Sequence, residues 1–457
     1  MILLQRAGFR WELQPEIEPW LDSLLAEPGR LIKEAPAKRV SRHETHGRVF
    51  FVKRYRHDAF ALRSLKFFFK ASPARIEWNT ARRLEDLDVP VVRHVAHGER
   101  WDLRGLRESI LITEGFDGEP LHAMRGLSPD AVMQFVSRLH ERGVLHADLH
   151  SENILARGEP PEFRLLDLDK TRILERITIE EREDNLAFLG ISFSLPLTGR
   201  ASARRTELRR RLFHERSRRC LRHNREFAPQ PHGGLDWQVR LPLLSPAAQR
   251  VLEDPEAFLR ARARIVKPGS TSTVGIADGL VLKRFNLRKV LNLAKDLLRA
   301  SRSYRAFRKS YHLELAGIPT ARVIAVADRR VAGFLVRSYQ LMEEIPGATT
   351  LQKFLREGGR PASESIRDAA GLVARLHNEG FTHGDLNERN LVFDDQQRLF
   401  LIDLDALEFS ARPRAALDLE RLDRDMSKHA SVTRQHRQIF LRQYCRIRQL
   451  RRVPRRR

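Results

Sequence analysis

One short constellation of residues occurs twice and limits the chain to a duplicated fold. HADLHSEN (His146–Asn153) is followed by LLDLD (Leu165–Asp169), and HGDLNERN (His383–Asn390) by LIDLD (Leu401–Asp405). Each copy holds an Asp, an Asn five residues later, and a second Asp at the end of an apolar run. Self-similarity on this scale marks a repeated structural unit. The repeat extends upstream. LIKEAPAKRV (Leu31–Val40) corresponds to RIVKPGSTSTV (Arg264–Val274), with Lys33 matching Lys267. RVFFVKRYR and GLVLKRFN follow, carrying Lys53 and Lys283, each behind a turn suited to a hairpin, His46-Gly47 and Asp278-Gly279. The helical patterns FVSRLHERGVLH and LVARLHNEGFTH lead into the two constellations.

The expected fold class is α+β, with two tandem bilobal domains, each a small β-rich lobe plus a larger helical lobe. At 457 residues, each half has length enough for its own core. Pro and Gly cluster in FAPQPHGGLDWQVRLPLLSPAAQ (Phe227–Gln249), where the repeat goes silent. The expected domains are therefore 1–235 and 246–457.

The spacing suits phosphoryl transfer. That reaction needs a carboxylate beside the attacking hydroxyl and oxygen ligands for the Mg²⁺ that neutralises the phosphates. In the first copy Asp148 would face the acceptor hydroxyl, and Asn153 and Asp167 would hold metal; Asp385, Asn390 and Asp403 repeat these roles. Hard oxygen ligands without a dedicated cage suit Mg²⁺ bound together with ATP. This is the arrangement of a protein-kinase-like catalytic loop and metal strand. Taken singly, such Asp and Asn residues would only cap turns. His146 and His383 are expected to pack and orient the loop rather than act as bases.

A Lys on an apolar strand, upstream of the loop, fits a nucleotide-phosphate lysine. Lys53 and Lys283 are these candidates, and each needs an anionic partner on a facing helix. Glu77 lies 13 residues before Pro90; the same distance before Pro319 falls on Ala306. The second half thus lacks the partner at that place, and Glu314 lies later on the helix. Neither half has a G-x-G-x-x-G phosphate loop. Domain two offers KPGSTSTV, and domain one EAPAKRVSRHE, where Lys38 and Arg39 would contact phosphate by side chain. The glycine that usually follows the metal Asp is replaced, giving Asp169 and Asp405.

Composition narrows the partners. Lys and Arg exceed Asp and Glu by 24, which favours a polyanionic surface or substrate. Much of the excess lies in Arg204–Arg225 and Arg434–Arg457, where few aromatics interleave, so no nucleic acid partner is expected. No apolar run reaches the length of a membrane span, and the N-terminus lacks signal-peptide features. Two cysteines, Cys220 and Cys445, form no redox or metal motif and fit a reduced, cytoplasmic setting.

VKRYR and LKRFN, ARIEW before a Val-Pro, HADLHSENIL and HGDLNERNLV, and the D-L-D endings together resemble the bacterial lipopolysaccharide core kinases, the heptose kinase and Kdo kinase group. The resemblance covers nearly the whole chain, once per half. It implies a kinase using ATP and Mg²⁺ to phosphorylate a heptose or Kdo hydroxyl of the lipopolysaccharide inner core, peripheral at the cytoplasmic face of the inner membrane. Carried over by position, Asp148 and Asp385 are catalytic; Asn153, Asp167, Asn390 and Asp403 are metal ligands; Lys53, Glu77 and Lys283 serve the nucleotide. The positive charge then meets core oligosaccharide-lipid A, a polyanion. FALRSLKFFFK (Phe60–Lys70) and NLRKVLNLAKDLLR (Asn286–Arg299) are candidates for peripheral contact with the anionic membrane. Two other readings compete: a membrane-associated scaffold in which one or both halves are pseudokinases, and a kinase for another small-molecule or protein hydroxyl.

Overall fold

The computed structural model describes the chain apart from residues 27–28, 36, 58–65, 104, 269–271, 287–299, 332–333 and 449–457. It forms two compact units, Met1–Leu208 and Arg209–Arg457.

In the first unit a seven-stranded antiparallel sheet forms from β1 (Ile2–Arg6), β2 (Phe9–Leu13), β3 (Arg30–Ala35), β4 (Lys38–Thr45), β5 (Arg48–Arg56), β6 (His94–Asp102) and β7 (Gly105–Glu114), in the order β1-β2-β6-β7-β5-β4-β3. Two-residue turns fix its register. His46 and Gly47, both at positive φ, pair Thr45 with Arg48, and Ala7 and Gly8 do the same between Arg6 and Phe9. Such turns match the right-handed twist of the strands they join. Trp11, Phe50, Val52, Ile110 and Ile112 build the core of this lobe. Beside the sheet lies the helix Pro73–Glu85, started by Ser72, which accepts from the Arg75 amide, with Pro at the first helical position.

The larger lobe packs the helix Pro129–Glu141 against a small sheet of β8 (Glu119–Pro120), β10 (Ile154–Arg157) and β11 (Glu162–Leu165). β9 (Val144–His146) pairs with β12 (Thr171–Ile173), and the helix Ile179–Ser192 follows, then the helix Gly199–Arg216, of which the part up to Leu208 belongs to this unit. The small lobe is tied to the metal strand by backbone: Leu165 donates to Pro90 O at 3.0 Å, and Val92 to Leu165 O at 3.1 Å. Gly143 turns the chain from helix into β9 at φ +75°, and a Cβ there would lie 2.0 Å from Leu174 O.

The second unit repeats this order strand for strand. Its large sheet runs β13 (Phe227–His232), β14 (Leu235–Arg240), β18 (Val323–Val331), β19 (Phe334–Glu343), β17 (Leu280–Phe285), β16 (Ser272–Ala277) and β15 (Arg264–Pro268). Its helical lobe holds the sheet of β20 (Thr349–Thr350), β22 (Leu391–Phe393) and β23 (Leu399–Leu401) and the pair β21 (Phe381–Thr382) and β24 (Glu408–Phe409). The helices Ala362–Asn378, Ala415–Met426 and Arg434–Arg448 complete it, and Leu401 donates to Pro319 O as Leu165 does to Pro90 O.

The expected α+β bilobal duplication is present, but the expected linker is not. Phe227–Gln249 contains the hairpin β13–β14, which answers to β1–β2, with Gly233 and Gly234 at the turn. Trp237 fills the core as Trp11 does. The Gly pair makes a tight turn, and Pro229 and Pro231 stand on an edge strand, the sheet position that tolerates a missing donor. Residues 227–245 thus belong to the second unit's sheet and its approach rather than between domains.

Of the basic runs, much is engaged internally. Arg204 contacts Asp184 and Glu207, Arg209 pairs with Glu379, and Arg218 with Glu215. Of the proposed membrane segments, Phe60–Lys70 lies outside the described residues through 65 and Asn286–Arg299 from 287 onward, as does the C-terminal run from 449. No helix among the described residues is long and apolar enough to cross a membrane.

Candidate active sites

Backbone geometry brings the expected triad together in each unit. Leu166 donates to Asn153 O at 2.9 Å, and Ile402 to Asn390 O at 3.0 Å, which fastens the metal strand to the loop. The Asn153 amide donates to Asp148 O at 2.9 Å, and Asn390 to Asp385 O at 2.8 Å. With the nitrogen so engaged, the amide oxygen is the group left for a cation. Asp167 and Asp403 adopt left-handed backbone, φ +50° and +56°, which Asp tolerates better than most residues. One carboxylate and one amide oxygen per site fit a Mg²⁺ that arrives with phosphates, and no denser acidic or His/Cys cluster exists among the described residues.

His146 donates from Nε2 to Leu166 O at 3.0 Å and accepts at Nδ1 from the Asp148 amide. Burial lowers its pKa, so the ring is a neutral brace. His383 donates to Ile402 O in the same way, and burial lowers it too.

Lys53 projects from β5 between two carboxylates, buried Glu77 and half-buried Asp167. Its Nζ is 2.7 Å from Glu77 Oε1 and 2.5 Å from Asp167 Oδ1, and Glu77 is only 1% exposed. Burial opposes both charges, yet the pairing wins: Lys53 is held above the usual lysine range, and Glu77 below the usual carboxylate range. Lys38 Nζ also reaches Asp167, at 3.4 Å. Arg39, its neighbour on β4, faces the other way by strand alternation. Asp169 is pushed up by burial, then by Glu77 and Asp167.

The second unit reaches a similar end with different groups. Lys283 Nζ lies 3.0 Å from Asp403 and 3.3 Å from Asp405. Ala306 is buried where Glu77 would be, and Glu314 pairs with Arg240 at 2.7 Å instead. Lys309 Nζ donates to Leu404 O and Asp405 O at 3.1 and 2.7 Å, clasping the segment after Asp403.

Four residues that hold the two loops have no sequence signature. Lys170 pairs with Asp148 at 2.7 Å and holds its carboxyl below the ordinary range against partial burial. Arg421, from the helix Ala415–Met426, pairs with Asp385 at 3.0 Å. Each loop is also anchored from behind. Asn185 donates to His146 O and contacts His140, whereas buried Asp418 accepts from the His383 and Gly384 amides and from His377.

A family model described as lipopolysaccharide kinase (Kdo/WaaP) matches residues 22–210 and again 280–444. A 3-deoxy-D-manno-octulosonic acid kinase of Vibrio cholerae is 33% identical over 106 residues, 23% of this chain and 44% of that protein. Lipopolysaccharide core heptose(I) kinase WaaP of Pseudomonas aeruginosa is 26% identical over 245 residues, 48% of this chain and 87% of that protein. The match thus spans less than half of the first relative and most of the second. A solved structure of WaaP in complex with acyl carrier protein aligns at a TM-score of 0.32 with 25% identity, over 43% of this chain and 86% of that one.

Proposed function

The chain belongs to the lipopolysaccharide kinase (Kdo/WaaP) family, and on that premise we propose that it transfers phosphate from ATP to a sugar hydroxyl, heptose or Kdo, of the lipopolysaccharide inner core. The observation that carries this reading is the Lys53–Glu77–Asp167 array beside Asp148. Lys53 holds and orients the nucleotide phosphates, and Glu77 fixes Lys53. Asn153 and Asp167 would hold Mg²⁺, which supplies charge neutralisation for the transferring phosphoryl group. Asp148 orients the acceptor hydroxyl and accepts its proton, kept ionised by Lys170. Asp385, Asn390, Asp403 and Lys283 hold the same places in the second unit. The acceptor is core oligosaccharide-lipid A, met at the cytoplasmic face of the inner membrane.

Incubating the protein with Mg-ATP and core oligosaccharide should add one phosphate mass to the acceptor. No transfer to any core acceptor overturns the reading. Ala306 favours a second reading for the second unit alone, a pseudokinase half within an active chain.

A further inference from the structure

The helix Arg302–Leu315 does more than lose a glutamate. Aligned through Pro319 and Pro90, its Arg302, Arg305 and Lys309 stand where the first unit has Pro73, Ile76 and Thr80. Together with Glu77 becoming Ala306, one helix face gains three cations and loses one anion. All three line a cleft of about 430 Å³ with Lys283, facing Asp385, Asp403 and Asp405.

The local charges are unevenly matched. Asp385 is held by Arg421, while Asp403 and Asp405 are held by Lys283. Lys309 is spent on two backbone carbonyls. Arg302, half-buried, and Arg305, exposed, have no carboxylate within 4 Å among the described residues. The lining carries four cations against three carboxylates, a net of +1, and the two arginines stand outside its ion pairs, so a dianion can be held there without a metal ion. Two free guanidinium groups supply the forked donors that phosphate oxygens accept.

We propose that the cleft of the second unit is a receptor for a phosphate group, bound directly by Arg302 and Arg305 without a metal ion. The phosphate belongs to a nucleotide or to an already phosphorylated core sugar, and the binding stands independently of transfer by the first unit. Its consequence for the chain is a second phosphate site of opposite metal dependence to the first.

The test is calorimetric titration of the full chain in EDTA at physiological salt, with ADP, pyrophosphate and phosphorylated core oligosaccharide as separate probes. At least one probe should bind with a stoichiometry of one, and which one binds identifies the source of the phosphate. The Arg302→Gln/Arg305→Gln variant should lose about tenfold or more in affinity, whereas Arg250→Gln/Arg260→Gln, which removes two exposed arginines outside the cleft, should bind as the parent does. Unchanged thermal melting of the arginine variant shows that its fold is kept. No binding of any probe in EDTA overturns the proposal. So does multiple weak binding insensitive to the arginine pair, as general attraction to a +24 chain would give. Phosphate transfer from Mg-ATP, measured on the same samples, reports separately on the first unit. Transfer can be absent while EDTA binding persists, and the reverse.

Discussion

Lys283 Nζ lies 3.3 Å from Asp405, a residue two positions beyond the metal-strand Asp, and so takes from the loop the second carboxylate that Lys53 takes from Glu77 on the helix at 2.7 Å. The two units therefore satisfy the same ammonium from different elements. Asp148 and Asp385 show the same exchange, paired by Lys170 beside the strand and by Arg421 on a later helix. Ion pairs of this kind depend on where charge stands in space rather than on which residue carries it.

Restoring the acid should convert one arrangement into the other. Ala306→Glu places a carboxylate beside Lys283 and lowers the positive field of the second cleft. Nucleotide binding by that unit, followed in a Lys53→Met background, should then require Mg²⁺. Binding equally strong in EDTA would show that the helix charge does not set metal dependence.

Removing Lys53 should make stability depend on pH. Lys53→Met strands Glu77 in a nearly dry site, at a cost on the order of 3–5 kcal/mol. Without its partner, burial raises the folded-state pKa of Glu77 above its unfolded value. Stability is then fullest at acid pH and falls as pH rises through the raised pKa. In the parent protein Glu77 sits below its unfolded value, so its contribution is present above the usual carboxylate range and is lost on acidification. Urea melts from about pH 3 to 8 should show the parent losing stability on the acid side and Lys53→Met losing it on the neutral side, and Lys53→Met/Glu77→Gln should flatten the curve.

Asp148→Ala should reduce phosphate transfer by about 10²–10⁴, the range for loss of a positioned base, with melting little changed because the side chain is partly exposed. Asp385→Ala should leave most of the transfer intact. Equal losses in both would assign the reaction to both units.

Gly143→Ala should destabilise the first unit by on the order of 3 kcal/mol or more, since left-handed backbone and a contact with Leu174 O combine. Chemical denaturation reads this directly. Gly380, at φ +87° in the second unit, has its nearest contact at 2.8 Å from Ser410 O and should tolerate Ala better.

What sequence reveals here follows from how chemistry constrains spacing. Asp148, Asn153 and Asp167 stand on one short loop and the strand fastened to it, so their order and separation are legible. Lys53 is legible because a charge in an apolar strand demands a partner, and Glu77 because it keeps its distance from Pro90. Asn185 and Asp418 are not, because each reaches the loop from a helix whose distance along the chain differs between the copies, and one is an amide and the other an acid. Lys170 and Arg421 share a task without sharing a position. The hairpin β13–β14 is hidden for another reason: only a turn and Trp237 echo β1–β2, and its prolines suggest a break.

Those prolines act outward as well. β13 is the last strand of its sheet, and an open edge is a template for pairing with another chain. Pro229 and Pro231 remove amide donors from that strand and deny a newcomer a regular ladder. What looks like punctuation in the chain is thus a guard against aggregation, and replacing both prolines should cost the protein its solubility before its activity.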